Sequence, residues 1–121
     1  MLLWFTVILT MPDFSVITCV SNPDVYQSCL VDSVNRVRSK HDIEIIPIIN
    51  NNNLYSASNA LSIGIDAAKS NNLIFVHQDV VLLDDWFDLL RKAIEQTDDD
   101  WGVIGSAGID LKYSRNDIGA W

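Results

Sequence analysis

"NLIFVHQDVVLLDDW", residues 72–86, sets a run of apolar strand-forming residues against a polar break, His77-Gln78-Asp79, and then turns apolar again before Asp84-Asp85. A carboxylate buried without a partner in such a segment costs on the order of several kcal/mol. Asp79 therefore needs either a partner or a place at an open end of the strand. "LIFVH" (73–77) reads as a strand whose apolar body stops where the break begins. Asp84-Asp85 then open a helix, with Trp86, Leu89, Leu90, Ala93 and Ile94 facing inward at helical spacing.

Outward from this stretch the chain alternates between two periodicities. "FSVITCV" (14–20) is a β-branched run suited to a buried strand. Asn22-Pro23-Asp24 then supplies an N-cap, a proline for the first turn and a carboxylate near the positive helix end. The spacing predicts a helix to about Ser39 that buries Tyr26, Leu30, Val34 and Val37. "IEIIPII" (43–49) is a second strand, and Pro47, which has no amide hydrogen, argues for an edge, an end or a bulge. Asn50 to Asn53 favour a turn, because asparagine tolerates left-handed backbone and bonds its own chain. Ser56 caps a further helix to about Ser70, with Ala57, Ala60, Leu61, Ala67 and Ala68 as a small-residue packing face and Asn71-Asn72 as its end. "WGVIGSAGI" (101–109) reads as a fourth strand.

This alternation is the pattern of an α/β fold, a parallel sheet with right-handed crossovers. Ligands of such sheets bind beyond the carboxyl ends of the strands. Three polar clusters fall there: Ser21-Asn22, Asn50 to Asn53, and His77-Gln78-Asp79.

Composition narrows the function. The 121 residues are 49% hydrophobic and 20% charged, enough apolar material for one globular core. A net charge of −8, from 16 acidic and 8 basic residues, leaves no clustered basic surface for nucleic acid and suits divalent cations. Cys19 and Cys29 have no metal-ligand spacing and read as small buried apolar residues in a reducing, cytoplasmic setting. "MLLWFTVILT" (1–10) is too short to span a bilayer and lacks the basic start of a signal peptide. It reads as an apolar extension, or an extra edge strand, ahead of a domain covering residues 11–121.

From Phe14 to about Asp110 the chain resembles the amino-terminal, nucleotide-sugar-binding half of a family 2 glycosyltransferase of the GT-A fold. The resemblance rests on "FSVITCVSN", "SASNALSIGIDAAKSNNLIFVHQDV" and "DDWFDLLRKAI". Ser58-Asn59 take the family's Arg-Asn place, Gly64 its helix glycine, and His77-Gln78-Asp79 its Asp-X-Asp place, as in a branch with His-Gln-Asp there. The resemblance implies a truncated three-layer α/β/α domain with a mainly parallel sheet. It implies transfer of a sugar from a nucleotide-diphosphate donor, a UDP-sugar or similar, to the hydroxyl of a saccharide or other acceptor, with inversion. Asp79 would hold Mn²⁺ or Mg²⁺, and His77 and Gln78 would line the same donor site. Ser21, Asn22, Asn50 and Asn59 would shape the nucleoside pocket. The acceptor site and the base that deprotonates the acceptor are implied to lie in a carboxyl-terminal half, so no residue here is assigned as that base.

Plainer readings stand beside these. Asp79 can cap the next turn while His77 packs at a strand end; Asn50 to Asn53 can be only a turn, and Asn59 a solvated helix residue. "TDDDW" (97–101) reads as a solvated turn and Trp86 as core. A phospho-receiver domain would make Asp79 the phosphoacceptor, but it wants an acidic pair where this chain has Ser21-Asn22. A non-catalytic nucleotide- or sugar-binding module, or an inactive fragment of such an enzyme, is the alternative function. An exposed edge near "WGVIGSAGI" would favour self-association.

Overall fold

The computed structural model describes residues 10–105. Three parallel strands, β1 (Phe14–Val20), β2 (Ile43–Ile49) and β3 (Leu73–Phe75), form an open sheet in the order β2-β1-β3. Phe14 pairs with Ile43 and the register runs in step to Val20 and Ile49, while Ser15, Val16 and Ile17 pair with Leu73, Ile74 and Phe75. Pro47 sits on β2, an edge strand among the described residues, where its missing amide hydrogen breaks no second ladder.

A continuous helical segment follows β1. It comprises α1 (Pro23–Tyr26), a π-helical stretch (Gln27–Val31) and α2 (Asp32–Asn35). The cap is as expected, with the Asn22 side chain accepting from the Val25 amide at 3.2 Å and Pro23 in the first turn. The helix stops at Asn35 rather than near Ser39, because the chain tightens into turns closed by Val37 N to Val34 O and Lys40 N to Val37 O. Two more helices complete the order, α3 (Ala57–Ala67) between β2 and β3, and α4 (Trp86–Glu95) after β3. Ser56 caps α3 as expected, accepting from the Asn59 amide. That helix ends at Ala68, which turns extended, before Asn71-Asn72 is reached.

Alternation along β1 assigns the two faces. Phe14 and Val16 pack with Leu30, Val34, Val37, Ile43, Leu82 and Phe87 in one core cluster, which places the first helical segment and α4 on one side of the sheet. Ile17 meets Gly64 of α3 on the other side, so closely that a Cβ at residue 64 would collide with the Ile17 Cγ2. The result is the expected three-layer parallel α/β arrangement.

Several details differ from the sequence reading. On α4, Trp86, Leu90 and Ile94 pack against the core as expected, but the fully buried residue is Phe87, against Phe14, and Leu89 is 57% exposed. Of the small-residue face of α3 only Ala60 is buried, joined by Gly64; Leu61 and Ala68 are half-buried and Ala57 and Ala67 exposed. Residues 101–105 form no strand, and Val103 is 91% exposed. The remainder of the expected fourth strand, 106–109, lies outside the described residues, as do residues 1–9 of the expected extension. Over the described part of that segment, 101–105, there is no strand edge to support the expected self-association. Among the described residues no helix is long and apolar enough to cross a membrane.

Candidate functional site

The two ladders of β1 end at different heights, and the site lies in the step between them. On the β2 side the ladder runs past the strand to Asn50, whose amide donates to Val20 O at 2.8 Å. On the β3 side it ends earlier, at the bond from Val76 N to Ile17 O. The chain leaving β3 thus departs from β1 three residues before β1 ends, opening a crevice where the strand order reverses, the usual ligand position in an open parallel sheet. A cavity of about 270 Å³ occupies it, lined by Cys19, Ser21, Asn50, Asn53, His77, Gln78 and Asp79.

All three polar clusters therefore meet. Asp79 is exposed at the open end of its strand, so its charge remains in water and needs no buried partner. His77, also exposed, lines the same cavity. Gln78 plays a different part: its Oε1 accepts from the Ser21 and Asn22 amides at 3.0 and 2.9 Å, and its Nε2 donates to Ser21 Oγ at 2.9 Å. Asn50 is likewise engaged, its side chain accepting from Tyr55 N at 2.8 Å and donating to Tyr55 O at 3.1 Å. This ring closes the turn Asn51–Asn53, in which Asn52 and Asn53 take left-handed backbone with φ of 58° and 53°. Asparagine bears that conformation better than other non-glycine residues. Asn22 caps the helix and its side chain does not line the cavity; Asn59, exposed on α3, does not line it either.

Sequence reasoning missed two lining residues. Asn53 was legible as part of the asparagine run. Cys19 falls on the side of β1 that carries Ile17, two positions before the strand gives way to Ser21. Both cysteines are half-buried rather than core residues, and that position on the strand is the signal that could have placed Cys19.

The loop that follows His77 and Asp79 is anchored on the first helical segment. Ser33 Oγ accepts from the Leu82 amide at 3.1 Å and donates to Leu30 O at 2.8 Å. Arg36 donates to Leu82 O and pairs with Asp84 at 2.8 Å. At the opposite pole of the sheet, Glu44 accepts from Ser15 Oγ and from the Lys69 amide. Burial pushes the Glu44 carboxyl up, but these two hydrogen bonds, the Lys69 charge and the Ser70 amide outweigh it and hold the group below its ordinary value.

Residues 15–116 match the model of a glycosyltransferase-like family. No curated protein and no solved structure matches the chain.

Proposed function

The chain belongs to the glycosyltransferase-like family, and on that premise we propose that the crevice between β1 and β3 receives the diphosphate portion of a nucleotide-sugar donor. One observation carries this reading: the carboxyl ends of all three strands deliver polar side chains to a single cavity, with Asp79 and His77 on it together. At about 270 Å³ the cavity lies just under the ~300–1,000 Å³ of typical small-molecule sites, a size for one moiety of the donor rather than all of it.

A divalent cation fits this donor set in a limited way. Among the described residues no group of three or more His, Cys, Asp or Glu side chains is placed to hold a metal ion. Asp79 would supply the protein carboxylate, with phosphate oxygens and water completing the shell, the manner in which Mg²⁺ is usually held beside phosphates. Such a cation, when bound, would neutralise charge developing on the leaving diphosphate. His77 would hydrogen-bond a phosphate or the ribose, and Ser21, Asn50 and Asn53 would border the nucleoside. The sugar would pass with inversion to an acceptor hydroxyl.

The test is calorimetric titration of the chain with UDP, UMP and uridine in Mn²⁺. The reading expects UDP to bind at least tenfold more tightly than UMP, and uridine weakest. Equal affinities for all three would overturn it, since the diphosphate would then make no contact.

A further inference from the structure

Gln78 stands at the centre of the sequence motif and lines the cavity with His77 and Asp79, yet both ends of its amide are engaged by the protein. Its carbonyl oxygen takes two consecutive backbone amides, Ser21 and Asn22, and its nitrogen takes the Ser21 hydroxyl. These bonds join segments 56 and 57 residues apart in sequence. They cross the step where β3 has already left β1, so among the described residues no ladder bond holds the two loops there. Without the Gln78 bonds, hydrogen bonds to the rest of the fold would hold the turn bearing His77 and Asp79 only at its two ends, at Val76 beside β1 and at Leu82 on the first helical segment.

We infer that Gln78 is a positioning residue for the donor site: it latches the turn carrying His77 and Asp79 to the end of β1 and does not itself bind the donor. This rests on the nucleotide-sugar reading above. The latch has a second consequence. Backbone amides at a strand-to-helix turn are ready anion donors when free; here Gln78 already takes those of Ser21 and Asn22, which leaves the diphosphate to the His77 and Asp79 side of the cavity.

The experiment uses the full chain as wild type, Gln78→Met, Gln78→Asn and Gln78→Glu. Methionine keeps the length of the side chain without its hydrogen bonds, asparagine is too short to span both amides, and glutamate keeps an acceptor oxygen for them. Hydrogen exchange at the Ser21 and Asn22 amides, followed by NMR, reads the latch without any ligand. Titration with UDP, with and without Mn²⁺, reads its consequence. The expected result is exchange about tenfold faster at both amides in Gln78→Met and Gln78→Asn, and near wild type in Gln78→Glu. UDP affinity in Mn²⁺ should fall about tenfold in Gln78→Met and Gln78→Asn, and the enhancement by Mn²⁺ should shrink with it, an effect a merely structural bond would not produce.

Unchanged exchange in the methionine and asparagine variants would overturn the latch. Faster exchange with unchanged UDP binding, in a chain whose wild type binds UDP, would overturn the positioning role alone. Absence of UDP binding by the wild type would overturn the nucleotide-sugar reading and the positioning role together, and the exchange data would separate that outcome from loss of the latch.

Discussion

Gly64→Ala tests the packing that builds the second face of the sheet. The added methyl would collide with Ile17 Cγ2 and lie 3.4 Å from the Ile17 Cβ and Cγ1. Isoleucine is stiff at χ1, so its branch cannot swing away cheaply. Overpacking of this kind costs about 1–3 kcal/mol, and a collision with a β-branched side chain belongs at the upper end. Alanine returns about 1 kcal/mol through its better helix propensity. The net expectation is a loss of about 2 kcal/mol, read as a lower urea midpoint with unchanged slope. Ile17→Ala, which alone costs about 2–5 kcal/mol, removes the clashing carbons. The double variant should therefore be more stable than the sum of the single effects by about 1–2 kcal/mol. If Gly64→Ala instead gained about 1 kcal/mol, propensity alone would be at work and the close approach of α3 to β1 would be refuted.

Glu44 holds its proton less tightly in the folded chain than its ordinary value of 4.5. Its stabilising effect is therefore present above that value and is lost as pH falls through the lower folded value. Glu44→Gln should flatten the acid limb of a plot of melting temperature against pH below about 5, and an unchanged limb would count against the Ser15 and Lys69 contacts. Ser33→Ala leaves the buried Leu82 amide without its acceptor and should cost about 1–3 kcal/mol by urea denaturation; a neutral result would show that the loop is not anchored there. Thr18 Oγ1 is buried with no hydrogen-bond partner among the described residues. Thr18→Val should accordingly raise stability by about 1 kcal/mol in the same assay, and a loss would reveal a partner for the hydroxyl.

Strand positions were legible because β-branched runs and their flanking caps act locally: Asn22-Pro23 and Ser56 start helices where they stand. The burial of Phe87 in place of Leu89 was not, because Trp86, Leu89 and Leu90 offer a helical stripe as good as that of Phe87, Leu90 and Ile94. The choice falls to Phe87, whose ring packs against those of Phe14 and His41, contacts made across the fold. "WGVIG" forms no strand over 101–105 for a related reason: β propensity expresses fit to a neighbouring pleated surface, and among the described residues no strand pairs with it. At the site, the strand-end rule placed Ser21, Asn50, His77 and Asp79 together. It could not tell which polar groups face a ligand and which face the protein. Gln78 and Asn50 spend their amides on backbone groups brought to them by the fold and by the closure of a turn.

Asp79 is the residue to test first. Calorimetric titration of UDP into the chain, with and without Mn²⁺, on wild type and Asp79→Ala, measures its contribution. The predicted result is binding by the wild type that strengthens at least tenfold with Mn²⁺, and loss of that enhancement in Asp79→Ala with the fold intact. Binding that is indifferent both to Mn²⁺ and to the loss of Asp79 would contradict the claim that this carboxylate, at the open end of its strand, holds the metal-bound diphosphate of a sugar donor.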